Sequence, residues 1–316
     1  MAGIVAAVAL PLVLAAAALL LWPRSPTAVS EEDALARYRS EGGASPGPAA
    51  ESPIGMKLAQ AVFDATVLPG TAGPAGTDAA VEEAAGVAAG GRTEGPAQTA
   101  GPEGTARPTA VRPAGGVYVF SASGSERVSL GPASDTRPYG ATVTATVRND
   151  GNCWTFRQAL FAEHSETTRY CLDGDGSLHA TGHSKTQRIG PITAQAEMSC
   201  SPDLVLGGSP ASSLSWQSNC NMATTTPLFT ASIRQNGTIA DLGAESVDVG
   251  GSAVTARHVR IRRDVSGDMT GFWHEDLWFA SGDNTIVRIE RNAELRGPAS
   301  FSENATIVLT SMTPRS

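Results

Sequence analysis

The chain has 316 residues and a formal charge of −8, with 34 glycines and 20 prolines weighted toward the stretch before about residue 116. Six basic and 11 acidic residues precede Val111, and 17 basic and 20 acidic residues follow from there. Neither part is basic, which removes the phosphate neutralisation on which nucleic-acid binding depends, so no nucleic-acid partner is expected.

From Ala2 to Trp22 the chain carries only uncharged residues, the length a helix needs to cross a bilayer. Pro11 is tolerated in lipid, and Trp22-Pro23-Arg24 fits a membrane-interface end. A cleaved signal peptide is the other reading of an Ala-rich N-terminus. The apolar run is longer than a usual signal core and no basic region precedes it, which favours an uncleaved signal anchor. No cysteine lies near the end of the span, so a lipoprotein attachment site is not expected there. Arg24, Arg37 and Arg39 would by themselves place the downstream chain in the cytoplasm, whereas the cysteines below argue for the outside.

Residues 23–110 are expected to hold a short juxtamembrane helix and then a disordered tether. Ser30 is a good N-cap for Glu31–Arg39, with acids in the first turn and arginines in the last. From Glu41 to Arg112 the composition is Gly, Pro, Ala and Thr, with too few aromatic and branched residues to offset ordering entropy. About 70 residues of such coil reach roughly 45 Å. The island Ile54–Phe63 could form a turn or two of amphipathic helix.

Residues 111–316 read as one mostly β domain. Short runs rich in Val, Thr, Ile and aromatics recur between turn dipeptides. Strands are expected near Val117–Ala122, Glu126–Leu130, Ala141–Arg148, Cys153–Phe161, Thr167–Leu172, Ser177–Thr181, Leu228–Gln235, Ser246–Val249, Val254–Arg263, Thr270–Phe279, Thr285–Arg291 and Ala305–Ser311. Turns are expected at Asn149–Asn152, Asp173–Gly176, Asn236-Gly237 and Ser281–Asn284. The stretch Pro191–Pro227 stays ambiguous.

All four cysteines lie in this domain. Cys153 and Cys171 fall at the outer ends of two adjoining strands, and Cys200 and Cys220 bracket a segment with little else to order it. The expected pairs are Cys153–Cys171 and Cys200–Cys220, although four cysteines allow three connectivities. No C-x-x-C spacing supports zinc instead. Disulfides persist in oxidising compartments, which places the domain outside the cytoplasm.

No catalytic motif stands out, so no enzyme, catalytic residue, metal or cofactor is expected. Asp173-Gly174-Asp175-Gly176 has only half of a calcium loop and reads as a hairpin turn. In Trp273-His274-Glu275-Asp276, strand geometry puts His274 and Asp276 on one face and Glu275 on the other. His258 reads as a strand-face residue. Phe272, Trp273, Trp278 and Phe279 put large apolar side chains on both faces of one strand. Phe272, Trp273 and Trp278 are therefore the candidate ligand-binding residues, with simple core as the plainer reading.

The series Val247–Arg260, then Asp276-Leu277-Trp278-Phe279-Ala280, a turn, and Ile286-Val287-Arg288-Ile289-Glu290 resembles the lipoprotein-carrier half-barrels of the mycobacterial LppX and LprG and the Lol type. Through Gly116-Val117-Tyr118, Cys153-Trp154 and the closing Leu309–Arg315, the chain also resembles a family of actinobacterial membrane-anchored proteins that brings no activity with it. The half-barrel resemblance implies a curved antiparallel sheet around an apolar groove for acyl chains. The expected function is thus membrane-anchored binding of a lipid or other apolar ligand at the cell envelope. The alternative is a protein- or polysaccharide-binding module with a solid core. An apolar cavity of at least about 300 Å³ would favour the first.

Overall fold

The computed structural model describes residues 26–41, 111–130, 133–208 and 214–316. The apolar stretch Ala2–Trp22, the island Ile54–Phe63 and nearly all of the tether sequence lie outside the described residues. Among the described residues no helix is long and apolar enough to cross a membrane.

The expected helix is present as α1 (Glu31–Ser40), capped by Ser30, whose hydroxyl accepts from the Asp33 amide at 3.1 Å. It is docked on the β domain. Arg148 lies over the Tyr38 ring, 4.9 Å from its centroid, and donates to the Tyr38 carbonyl at 3.0 Å. Arg148 also pairs with Glu41, Arg315 with Glu31, and Arg39 donates to the Ser316 carbonyl. The chain returns after residue 110 to the same place: Asn149 donates to the Pro113 carbonyl, and Arg112 to the Gly151 carbonyl. The described residues on either side of 42–110, Glu41 and Pro113, thus both lie beside the Arg148–Gly151 turn.

The β domain is formed by β1 (Gly116–Leu130), β2 (Ala133–Pro138), β3 (Thr142–Asp150), β4 (Cys153–Phe161), β5 (His164–Leu172), β6 (Leu178–Ile189) and β7 (Ile192–Ser201). It continues with β8 (Leu204–Leu206), β9 (Ser215–Thr225), β10 (Thr230–Val249), β11 (Ser252–Gly267), β12 (Thr270–Ala280), β13 (Ile286–Arg296) and β14 (Ala299–Leu309). Twelve of these close into an antiparallel barrel, with β2 added beside β1 and β8 beside β6. The expectation of a half-barrel is corrected here. β14 pairs with β1 over eleven positions, from Phe120↔Leu309 to Leu130↔Ala299, so the two edges that a half-barrel would expose satisfy each other.

Two further departures have local causes. Asn236-Gly237 is not a turn but the middle of the 20-residue strand β10. Gly237 is needed for close approach, because a Cβ there would drive into the Arg262 carbonyl of the neighbouring strand. The turn between β10 and β11 is instead Gly250-Gly251, both at positive φ, as a two-residue hairpin requires. The ambiguous stretch Pro191–Pro227 forms β7, β8 and β9. The turns at Gly151, Gly174-Asp175 and Ser281–Asn284 fall as expected. Outward positions on β7 and β9 are polar and exposed, as at Gln195, Glu197, Gln217 and Asn219, unlike the apolar band of a lipid-facing barrel.

Inward positions are layered. At the end nearest α1, Phe120, Trp154, Leu178, Phe279, Ile289 and Ile307 belong to a large apolar core. At the far end, Val128, Ile189, Ile233, Val265, Leu295 and Phe301 form a smaller one. Between them, one inward step on each of five strands is polar: Glu126 on β1, Arg263 on β11, Glu275 on β12, Arg291 on β13 and Glu303 on β14. Both expected disulfides are formed, with sequence separations of 18 and 20. Buried Cys220 places its bridge to Cys200 inside the barrel at the level of this ring.

Replacing Cys200 and Cys220 together by serine should lower stability by about 2–4 kcal/mol, read as a lower urea midpoint. An unchanged midpoint would show that β7–β9 pairing suffices without the bridge.

Candidate functional site

The far end of the barrel, where the β6–β7, β9–β10, β11–β12 and β13–β14 turns meet, holds a cavity of about 140 Å³. Its walls include Ile189, Ile192, Met198, Met222, Phe229 and Phe301. Apart from Phe229, in the β9–β10 turn, these come from strands whose other face meets water, so period-two patterning puts an apolar lining on the lumen. Small residues at Ala194, Ala196 and Ala231 leave the space that larger side chains would close.

The charge ring forms the floor. His164 lies between two buried carboxylates, Nδ1 at 2.5 Å from Glu126 and Nε2 at 3.0 Å from Glu166. Glu166 also pairs with Lys185 at 3.3 Å. Its second oxygen is 2.7 Å from Arg291 Nη1, close enough for an ion pair though not aligned for a hydrogen bond. Arg291 Nε donates to Glu275 at 2.6 Å. Tyr139 donates to Glu303 at 2.5 Å, and Arg137 and Gln187 both donate to Glu126 at 3.2 Å.

Burial opposes charge on each of these groups, and the neighbours decide the outcome. Burial and Lys185 act against the His164 cation, yet Glu126 and Glu166 outweigh them and hold its pKa above the ordinary value. Against burial, Arg291, Lys185 and His164 hold Glu166 well below the usual carboxylate range. His164, Lys185 and Arg137 likewise depress Glu126. Burial raises Glu303, with the Glu166 charge adding to the effect and Arg291 opposing it.

Of the candidate ligand-binding residues, only Trp273 lines the cavity. Phe272 and Trp278 occupy the outer face. There Trp278 stacks on His258 with centroids 4.1 Å apart and donates to Glu245 at 2.9 Å. His258 is 2.8 Å from both Glu245 and Asp276, and Asp276 also binds Arg260 and Arg262. As strand geometry requires, Glu275 points inward while His274 and Asp276 point outward. The partner of Asp276 is His258 on the neighbouring strand, not His274. The cavity's methionines and alanines, together with Lys185, Arg263 and Gln235, were missed in the sequence. The available signal was alternation with one polar residue inside an otherwise apolar inward row, as in Ile289–Arg291–Ala293.

Stability should depend on pH on both sides of a plateau. Glu126 and Glu166, lowered in the folded state, contribute stability present above their ordinary value of 4.5 and lost as pH falls through their depressed values. His164, raised above 6.5, contributes stability complete below 6.5 and lost as pH rises through its folded value. Urea titrations should therefore find a maximum between these limits. His164→Ala, which leaves two facing carboxylates without their cation, should cost about 3–5 kcal/mol and remove the alkaline decline; an alkaline decline that persists in the variant would refute the assignment.

Compared with known protein families, curated proteins and solved structures, the chain matches none, so the site is read from its own residues.

Proposed function

We propose that the chain is a single-pass cell-membrane protein whose extracytoplasmic barrel takes up the apolar part of a small ligand. The observation that carries this reading is the apolar cavity above the charge ring. Two formed disulfides support an oxidising compartment, and the apolar stretch Ala2–Trp22 supports attachment to the membrane.

Size limits the ligand. The cavity, about 140 Å³, falls short of the roughly 300 Å³ of a drug-sized pocket. It is near the roughly 150 Å³ that accommodates benzene in an engineered core. It suits a group of about six carbons, not a full acyl chain, and the rest of the barrel is filled with side chains. Acyl-chain carriage, as in the half-barrel lipoproteins, is therefore not part of the proposal.

The docking of α1 also constrains orientation. Thr27 is bonded to the β4–β5 turn, its carbonyl accepting from Ala162 at 2.8 Å and its amide donating to Glu163 at 3.2 Å. Only residues 23–25 separate Trp22 from Pro26, at most about 14 Å of extended chain. The barrel thus sits at the membrane surface instead of projecting from it. A spin label at Ala162 in the reconstituted chain should show shallow membrane proximity by power saturation. Full aqueous exposure with no effect of lipid-soluble oxygen would count against this placement.

Calorimetry on the full chain in lipid nanodiscs, with hexanol as the apolar probe, tests the binding reading. Saturable uptake is expected in the wild type and a loss of at least about tenfold in Ala194→Phe, which fills the cavity without touching the charge ring. Identical heats in both would place hexanol in the bilayer and leave a solid-core interaction module as the better description.

A further inference from the structure

The floor of the cavity carries a charge that an apolar ligand does not need. Three lining side chains are cations: Lys185, Arg263 and Arg291. Lys185 pairs with Glu166, and Arg291 pairs with Glu166 and Glu275. Arg263 is buried, 7% exposed, and no carboxylate is in contact with it among the described residues; the one that attracts it from farther off, Glu275, also lines the cavity and is bound by Arg291 at 2.6 Å. The one polar contact of Arg263 there is Nη2 to Cys200 Sγ at 3.9 Å, while its Nε has no partner. Beside it, Gln235 is 3% exposed and its Oε1 is also without a partner. His183, the remaining basic group, donates no charge, because burial lowers its pKa and its Nδ1 is engaged by Thr168 at 2.9 Å.

A buried guanidinium with no carboxylate in contact is costly, and a buried unsatisfied amide adds to that cost. Both groups face the same small volume from adjoining strands. We infer that the ligand is an amphiphilic monoanion, a carboxylate with an apolar group of about six carbons, whose head is bound by Arg263 and Gln235 at the cavity floor. The guanidinium presents a fork of donors that matches a carboxylate. One guanidinium with no carboxylate in contact matches one negative charge, and Glu275 in the same lining opposes a second, which favours a carboxylate over a dianionic phosphate ester. The apolar part then fills the space between the floor and the turns, along Met198, Met222 and Phe229. The Gln235 amide donates from its nitrogen after a rotation that exchanges its two ends.

This inference rests on the cavity being a binding site, and the test separates the two claims. Hexanoate, hexanol and hexylamine share one tail and differ in charge. Calorimetry on the full chain in nanodiscs, corrected with Ala194→Phe, should rank them in that order, with hexanoate bound about tenfold or more tighter than hexanol. In Arg263→Met, which keeps the volume and removes the charge, the ratio of the two affinities should fall to about one. The unliganded variant should be at least as resistant to urea as the wild type, because a buried charge with no carboxylate in contact has been removed. Hexanol binding as tightly as hexanoate in the wild type would overturn the anionic head and leave the apolar cavity standing. A preference that survives in Arg263→Met would also overturn it. Saturable binding of none of the three would remove both claims. The ranking in the wild type decides the matter even if the variant does not fold.

Discussion

The interior of this barrel depends on a histidine held between two glutamates. His164, Glu126 and Glu166 are almost wholly removed from water, where a lone charge would be several kcal/mol unfavourable. The cost is offset only because each charge meets its opposite, through Lys185 and Arg291 beside Glu166 and through Arg137 beside Glu126. Those partners come from β2, β6 and β13, which stand apart from one another in the strand order of the barrel. The ring can thus be completed only when the sheet has closed, and this ties the choice of closed barrel over open half-barrel to electrostatics as much as to the pairing of β14 with β1. The same ring divides the lumen. On one side large aromatic and branched residues fill the space; on the other, alanines and methionines leave a cavity whose floor is charged.

Much of the fold was legible in the sequence because alternation and turn chemistry are local. The hairpin turns at Gly151 and Ser281–Asn284 and the capped helix α1 follow from residues within a few positions of each other, and both disulfides close loops short enough, 18 and 20 residues, to be read from the strands that flank them. β7 and β9 were obscure because their inward positions carry Ala194, Ala196 and Ser218, too small or polar to mark a buried face. Asn236-Gly237 misled because its glycine answers to a neighbouring carbonyl on another strand, a non-local demand. The ring was hidden for a related reason: Glu126, Arg263, Glu275 and Arg291 read as solvent-facing until the strands beside them are known. Of the aromatic residues singled out, Trp273 reaches the cavity because it shares the inward face with Glu275. Trp278, on the opposite face, belongs to the outer network around His258.

The N-terminal segment changes what the long Gly/Pro/Ala-rich stretch means for the molecule. Composition alone suggested a spacer between membrane and domain. With α1 fixed on the barrel through Arg148, Arg315 and Ser316, and with Pro113 bonded to Asn149, the described residues that flank that stretch lie together on the barrel. The cavity lies at the barrel end away from the Arg148–Gly151 turn.

The central claim is that His164 is a buried imidazolium whose charge is held by Glu126 and Glu166. Nitrogen-15 NMR of histidine side chains in the folded protein tests it most directly. The account predicts that at pH 6.5, where an ordinary histidine is half charged, both ring nitrogens of His164 carry protons and show the shifts of the cationic form. A neutral tautomer for His164 at pH 6, with one nitrogen unprotonated, would contradict the account and require a different explanation for the polar ring inside the barrel.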